Sequence, residues 1–287
     1  MDSSEWALLL FTLFAPTAVG LIFSMAVMSS GRHMVLRLIY TSVRQQVTII
    51  AILLMAAAVL FSFFHLGSPF RAVYAMSNLQ TSWLGREIFM VIVFSGMLAV
   101  RLIILIIYRT GEVLNRIVLW ICLIAGFAMI YTMARVYMIP TIPAWDQAST
   151  MVLFLSGSLL LGIPLFLYLL IAGNIVHLDK QGTKRFFRLM VSFVLFAFLA
   201  RLIFASFAVD ISEDAGFPPR AIPVAIILLH YLFSLSGIVL LLGWGFISAI
   251  TSEKFLRYLV PVAFSCLLLG EVLGRYIFFS GYYRVGV

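Results

Sequence analysis

The stretch HLGSPFRAVYAMSNLQTSWLGRE, residues 65–87, separates two apolar runs at 47–64 and 88–108. Each run is long enough to cross about 30 Å of hydrocarbon as an α-helix. The stretch between them carries one imidazole, two guanidinium groups and one carboxylate, which belong at the membrane surface rather than in lipid. A long apolar run followed by a short polar connection is therefore the repeating unit that determines this fold.

The composition of the whole protein extends that pattern. Of its 287 residues, 64% are apolar and 10% are charged, and a soluble fold cannot bury so much apolar surface. The sequence predicts an all-α membrane protein, one integral domain over residues 1–287 with eight transmembrane helices in a bundle. The predicted spans lie near 7–29, 47–64, 88–108, 117–139, 151–172, 189–209, 221–249 and 258–281.

Lys and Arg are distributed unequally between the two sides of the predicted bundle. Eleven lie in the connections 30–46, 109–116, 173–188 and 250–257, whereas four lie on the opposite side. Because the basic side of a membrane protein faces the cytoplasm, both termini are expected to be periplasmic, in a bacterial cytoplasmic (inner) membrane. The net charge of +8 comes from these scattered residues, so it does not indicate a nucleic-acid partner.

The sequence predicts no metal site, haem or iron–sulfur cluster in this chain. The two cysteines lie singly within apolar runs, so no thiolate cluster is expected. Axial haem ligands need matching depths on facing helices, and no two histidines match. No connection exceeds about 25 residues, too short for a soluble domain, so the cofactors of any redox chemistry in which this protein takes part would belong to partner subunits. The cysteines are Cys122 and Cys266, and the histidines are His33, His65, His177 and His230.

Charged residues within the predicted spans gather toward the outer half of the bundle. Glu271 and Arg275 are four residues apart on one helix, in the order that favours an ion pair, which has either a structural or a functional role. Arg135 lies at a similar outward depth, whereas Arg101 and Arg201 are expected to be helix–helix anchors or snorkelling residues rather than substrate ligands. A polar cavity that opens outward would explain this bias.

His65 and Glu87 bracket the outer connection, so they can lie side by side across the ends of the second and third spans. Quinol oxidation releases two protons and two electrons, and it needs hydrogen-bond partners for the hydroxyls and a base that works near neutral pH. An imidazole at the rim meets the second need. The structural alternative is that His65 caps its helix and that Glu87 pairs with Arg86.

Four stretches resemble the membrane anchor subunit of anaerobic dimethyl sulfoxide reductase. The segment HLGSPFRA, followed by the Glu87 region, is similar to the quinol-site region of that family. The resemblance runs from the first span to the last and is strongest at the outer helix ends. Its stretches are WALLLFTLFAPTAVG (6–20), HLGSPFRA (65–72), RVYMIPTIPAW (135–145) and GEVLGRYIFFSGYYRVG (270–286).

The resemblance implies a function and two partners. In that family the anchor carries no prosthetic group, oxidises menaquinol, and holds an iron–sulfur electron-transfer subunit and a molybdopterin catalytic subunit on the membrane. The functional His and Glu of the family fall on His65 and Glu87. Arg86 departs from the family pattern, in which an uncharged polar residue is more usual, and its charge next to Glu87 favours an orienting role for that carboxylate.

The sequence thus predicts a menaquinol-oxidising membrane anchor of a three-subunit molybdoenzyme in anaerobic respiration. Quinol is expected to reach His65 and Glu87 from the lipid between the second, third and eighth helices. The residues expected to support the site are Arg71, Arg86, Arg135, Glu271 and Arg275. One alternative is an anchor for another sulfur or nitrogen oxyanion reductase. The other is a secondary transporter, although neither a convincing inverted repeat nor an acidic residue at mid-membrane supports it.

Overall fold

The computed structural model describes residues 3–31, 34–65, 72–108, 112–173, 181–214, 222–247 and 253–280. Regular secondary structure in these ranges is helical throughout, which confirms the predicted all-α class. Eight of the described helices are long and apolar enough to cross a membrane, which confirms the predicted spans in number. The helices are α1 (Ser3–Ser29), α2 (Met34–His65), α3 (Ala72–Ala75), α4 (Trp83–Ile103), α5 (Glu112–Tyr137), α6 (Ala148–Ala172), α7 (Gln181–Asp214), α8 (Val224–Ile247) and α9 (Glu253–Ser280).

Two short elements accompany these helices. A 3-10 turn at Met76–Asn78 follows α3, and a π-helical turn at Ile104–Tyr108 ends the third span. Helix α3 and the 3-10 turn therefore lie in the outer connection between α2 and α4, which contains the predicted site.

Helix α2 begins at Met34, well before the predicted start at residue 47. The predicted connection at 30–46 is wrong over most of its length because its apolar residues recur at helical spacing and pack inward. The buried positions are Leu36, Ile39, Tyr40, Val43 and Val47. The basic side chains in the first part of α2 lie on other faces of the helix. Their number suggested a loop, although the segment is an amphipathic helix. Helix α7 is likewise longer than the predicted span at 189–209.

Helices α1 and α6 form the centre of the bundle, and they cross at a contact between glycines. A Cβ on Gly20 would overlap the carbonyl oxygen of Ser158, and one on Gly162 would lie 2.7 Å from the Leu21 nitrogen. Small residues let two membrane helices approach until their backbones touch, which maximises van der Waals contact. Both positions must therefore be glycine, because a Cβ at either would clash with the backbone of the other helix.

Replacing Gly20 by alanine is expected to separate α1 from α6 and to destabilise the bundle. Overpacking of this kind costs about 1–3 kcal/mol, so thermal unfolding of the purified protein in detergent should begin several degrees lower. Gly96→Ala is the matched control, since a Cβ there meets nothing within 4 Å. Equal unfolding midpoints for the two variants would contradict the assigned crossing.

Arg101 joins three helices near their inner ends. Its side chain is fully buried. Nε donates to the Thr48 hydroxyl at 3.2 Å, Nη1 to the Asn115 carbonyl at 2.8 Å, and Nη2 to the Tyr40 hydroxyl at 3.3 Å. These partners belong to α2 and α5, so Arg101 of α4 is the helix–helix anchor that the sequence predicts.

Candidate functional site

The N-terminus of α4 is covered by the outer connection. Ser82 is the N-cap, and its hydroxyl accepts a hydrogen bond from the Gly85 nitrogen at 3.1 Å. A Cβ on Gly85 would overlap the carbonyl oxygen of Ala75, so α3 lies directly on the first turn of α4. This close contact buries the first turn of α4 at Gly85, two residues before Glu87.

Arg86 holds the same connection in place. Its Nε donates to the Leu79 carbonyl at 2.7 Å, and its Nη2 donates to the Gln80 carbonyl. Its Cζ lies 4.3 Å from the centroid of the Trp83 ring. The alternative pairing of Arg86 with Glu87 is wrong, because consecutive residues of a helix point about 100° apart and the guanidinium is bound elsewhere.

Glu87 points into the bundle. Its side chain is 5% exposed, and its Oε1 is buried without a hydrogen-bond partner among the described residues. An unpaired carboxylate oxygen inside a membrane protein is costly, so its persistence indicates a ligand, a proton or water at that position. The predicted site residue is therefore positioned to receive a donor.

Trp83 joins α4 to α5 beside this carboxylate. The guanidinium of Arg135 lies 4.7 Å from the Trp83 ring centroid, and Tyr131 packs edge-on against the same ring at 5.9 Å. Trp83 thus contacts two of the predicted supporting residues, Arg86 and Arg135.

The other predicted rim residues are only partly covered by the structure. His65 is the last residue of α2, which places its backbone at the outer end of that helix, as the sequence predicts. The His65 side chain and all of Arg71 lie outside the described residues, as do His33 and His177.

Glu271 pairs with Arg201 of α7, and the predicted pairing with Arg275 is wrong. Arg201 Nη1 donates to Glu271 Oε1, and Nη2 donates to Oε2 at 3.1 Å, a two-point contact that joins α7 to α9. Arg201 Nε also donates to the Ser156 hydroxyl at 2.9 Å. A buried guanidinium that faces both carboxylate oxygens is favoured over the single contact available within one helix.

Arg275 lies beside this pair with part of its guanidinium unpaired. Its Cζ lies 4.1 Å over the Phe154 ring, and its Nε and Nη1 have no hydrogen-bond partner among the described residues. Gly157 of α6 makes room for the cluster: a Cβ there would lie 3.1 Å from both Arg275 Nη2 and Glu271 Oε2.

Tyr137, the last residue of α5, packs in an aromatic cluster beside the Arg275 group. Its ring stacks on Phe154 at 5.3 Å and meets Trp145 edge-on at 5.6 Å. The Phe154 ring therefore lies between the Tyr137 ring and the Arg275 guanidinium in one buried aromatic cluster.

His230 packs α8 onto α9 near the same cluster. Its Nδ1 lies 2.7 Å from the Gly270 carbonyl oxygen, and a Cβ on Gly274 would lie 2.8 Å from its Cε1. Within the described part of the protein, no three His, Cys, Asp or Glu side chains come together as a metal site would need.

An apolar cavity of about 390 Å³ lies between α2 and α4. Its α2 side extends from Ile52 to Phe63, about 16 Å along the helix, and its outer end is two residues from His65. Ser95 contributes a buried hydroxyl without a partner among the described residues. Helix α9, the eighth span, contributes none of the lining residues, which are Ile52, Met55, Ala56, Val59, Leu60, Phe63, Ser95 and Leu98.

Sequence reasoning missed several residues of this region. Tyr137 and Trp145 lie in a stretch singled out only for its resemblance, and Arg201 was assigned an anchoring role without a partner. Ser95 had no signal, because one hydroxyl in an apolar run is common in membrane helices. The need for a glycine at position 157 can be recognised only when the helices that pack against it are known.

The fold and these clusters define a class: a polytopic helical membrane protein with a buried ion pair and an apolar cavity between spans. The family of DMSO reductase anchor subunits matches residues 1–281, and the protein belongs to it. This confirms the resemblance predicted from the sequence. Members of this family are membrane anchors of DMSO reductase complexes in anaerobic respiration, which implies catalytic and electron-transfer partner subunits.

Three relatives are similar to this protein at low identity. The C subunit of the anaerobic dimethyl sulfoxide reductase of Escherichia coli (strain K12) is 24% identical over 99% of this sequence and 96% of its own length. The C subunit of the Haemophilus influenzae reductase is 26% identical, over 66% of this sequence and 67% of its own. The YnfH subunit of an anaerobic dimethyl sulfoxide reductase of E. coli is 25% identical over 55% of each.

Proposed function

We propose that this anchor subunit oxidises menaquinol at the outer ends of α2 and α4 and passes the electrons to an iron–sulfur partner subunit. A molybdopterin catalytic subunit then reduces the terminal acceptor, a sulfoxide of the dimethyl sulfoxide class. The observation that carries the proposal is Glu87, whose buried Oε1 lacks a hydrogen-bond donor among the described residues. A quinol hydroxyl is a neutral donor that can reach such a position from lipid.

The two site residues have separate roles in the proposed reaction. Each quinol loses two protons and two electrons and becomes a quinone. His65 accepts the two hydroxyl protons one after the other and releases each of them to the aqueous side, because an imidazole exchanges protons near neutral pH. Glu87 accepts the hydrogen bond of the hydroxyl and so orients the ring. Both electrons pass to the nearest cluster of the partner subunit, so this subunit itself stores none.

The cavity between α2 and α4 suits the isoprenoid tail of the quinol. Its lining is apolar, and at its outer end Leu60 and Phe63 are half-exposed toward lipid. Glu87 and Leu98 share the buried face of α4, so one face of that helix would carry both the headgroup and the tail. Quinol access is accordingly proposed between α2 and α4.

The proposed reaction fits an orientation with both termini in the periplasm. Arg37 near the start of α2 pairs with Glu112 at the start of α5, so these two helix ends lie on one side. That side is the one richer in Lys and Arg, which is typically cytoplasmic. The quinol site would then face the periplasmic half of the inner membrane.

A quinol-analogue titration tests the proposal. In membranes containing the complete complex, His65→Ala is expected to weaken binding of a hydroxylated naphthoquinone analogue by about tenfold, the loss of one hydrogen bond to a titratable group. A tailless analogue should lose the same factor, because His65 contacts the headgroup. Gly96→Ala, on an open part of α4, is the control. Binding to His65→Ala membranes as tight as wild type would refute the assignment.

A further inference from the structure

Trp83 begins the buried face of α4, four residues before Glu87. At about 100° per residue, Trp83, Glu87, Phe94 and Arg101 fall within about 40° of one another around the helix axis. The last three are buried, whereas Trp83 in the first turn is half-buried. Because side chains of a helix lean toward its N-terminus, the carboxyl of Glu87 extends toward the Trp83 ring. The indole is therefore the next side chain outward on the face that carries Glu87.

Contacts between α4 and α5 lie on both sides of Glu87 along the helix. Outward of it, the Trp83 ring lies 4.7 Å from the guanidinium carbon of Arg135. Inward of it, Phe94 packs against α5 at Gly126, where an added Cβ would lie 3.0 Å from the Phe94 ring. Glu87 is about 6 Å inward of Trp83 and about 10 Å outward of Phe94 along the axis. Trp83 therefore forms the outer end of the α4–α5 contact that contains Glu87.

Two guanidinium groups hold the Trp83 ring in place. The Cζ of Arg86 lies 4.3 Å and the Cζ of Arg135 lies 4.7 Å from the ring centroid. Arg86 also donates hydrogen bonds to the carbonyls of Leu79 and Gln80, so the same guanidinium ties the outer connection to the ring. Each cation–π contact favours one orientation of the indole, and together they fix it between the connection and α5.

We infer that Trp83 is a positioning residue that closes the outer end of the α4–α5 contact and keeps external water away from the Glu87 carboxyl. Water would satisfy the unpaired Oε1 of Glu87 and compete with the hydroxyl of a ligand. With water excluded, the carboxyl is left for a quinol that reaches it from lipid, and for this ligand the inference rests on the proposed function. The indole takes no part in proton transfer, because its N–H is only a hydrogen-bond donor.

Carbodiimide labelling of the purified complex measures this shielding without any quinol. A water-soluble carbodiimide modifies carboxyl groups that it can reach from water, and peptide mass spectrometry quantifies each site. In Trp83→Ala, labelling of Glu87 should rise about tenfold, because loss of the ring and of two cation–π contacts exposes the carboxyl more often. Trp120→Ala is the matched control at an exposed indole of α5, and it should leave this labelling at the wild-type level. Wild-type labelling of Glu87 in Trp83→Ala would overturn the inference.

Two other carboxyl groups serve as internal standards in the same samples. Glu112 is exposed near the inner helix ends and should be labelled equally in all variants. Glu271 is 2% exposed and should stay at its low wild-type level. If the labelling of Glu271 rises as much as that of Glu87, the whole bundle has loosened and the specific role of Trp83 is overturned.

A conservative variant keeps the test decisive if Trp83→Ala does not assemble. Trp83→Phe retains a ring face for both guanidinium groups, but the ring is smaller and its cation–π contacts are weaker. Labelling of Glu87 should therefore rise about threefold in Trp83→Phe and not at all in Trp120→Phe. Equal labelling of Glu87 in these two variants would overturn the inference.

The quinol-driven rate separates positioning from packing alone. In Trp83→Ala, reduction driven by a menaquinol analogue should fall about tenfold, whereas reduction driven by a viologen dye through the partner subunits should not change. In a Glu87→Gln background, Trp83→Ala should cause no further loss, since it acts through Glu87. An unchanged quinol-driven rate, or losses that multiply, would overturn the inference. If Glu87→Gln alone keeps the wild-type rate, the proposed function fails, while the labelling of Glu87 still decides whether Trp83 shields it.

Discussion

Glu271→Gln is expected to prevent stable assembly of the complex. The substitution leaves Arg201 and Arg275 together in the membrane interior without a carboxylate. Removing one partner of a buried pair typically costs about 3–5 kcal/mol, because the remaining charge stays buried and uncompensated. That is a large part of the stability of most proteins. The amount of complex that copurifies with the tagged anchor, measured after mild-detergent extraction, should fall sharply.

A double variant identifies the cause of this loss. Arg201→Met combined with Glu271→Leu removes both charges and keeps similar volumes, so much of the assembled complex should return. Arg37→Gln breaks an exposed ion pair and should have little effect, since surface pairs contribute about 0–1 kcal/mol. Recovery in the double variant would assign the loss to the unpaired charge. Normal assembly of Glu271→Gln alone would contradict the assigned pair.

The same pair marks a limit of prediction from the sequence. The spacing within one helix correctly predicts that Glu271 and Arg275 lie on one face. It cannot reveal Arg201, which is seventy positions earlier in the sequence. A pair within one helix is worth about 0.2–0.5 kcal/mol, whereas a buried two-point contact with Arg201 is much stronger. The contact between Glu271 and Arg201 is therefore the more stable one, and only the packing of α7 on α9 reveals it.

The spans were predictable because hydrocarbon admits long apolar helices and little else. The ends of the spans were harder to predict, as α2 shows. Arg37 and Arg44 suggested a loop, but the residues buried between them belong to the helix. Burial of Glu87 was also beyond the sequence, because it depends on Gly85 lying against the Ala75 carbonyl. The resemblance pointed to Glu87 without this physical reason.

Glu87→Gln is expected to leave the complex assembled and to stop most quinol oxidation. The carboxamide has nearly the shape of the carboxyl group, and the described residues give Glu87 Oε1 no hydrogen bond that the substitution could break, so the bundle should not be destabilised. The carboxamide is, however, a weaker acceptor for the quinol hydroxyl. Groups that accept or orient a transferred proton typically contribute about 10²–10⁴-fold to the rate, so quinol-driven reduction should fall by roughly 10²-fold.

Two electron donors locate the defect. A reduced viologen dye delivers electrons directly to the soluble partner subunits, so dimethyl sulfoxide reduction with this donor should stay at the wild-type rate in Glu87→Gln. With a menaquinol analogue as donor, the rate should collapse at every donor concentration, because a quinol that Glu87 does not orient cannot pass its protons to His65. Glu112→Gln makes the same chemical change at an exposed carboxylate near the inner helix ends, and it should retain both activities. Equal quinol-driven rates in the two variants would remove Glu87 from the site, whereas loss of both activities in Glu87→Gln would show that the substitution disrupts attachment of the partner subunits.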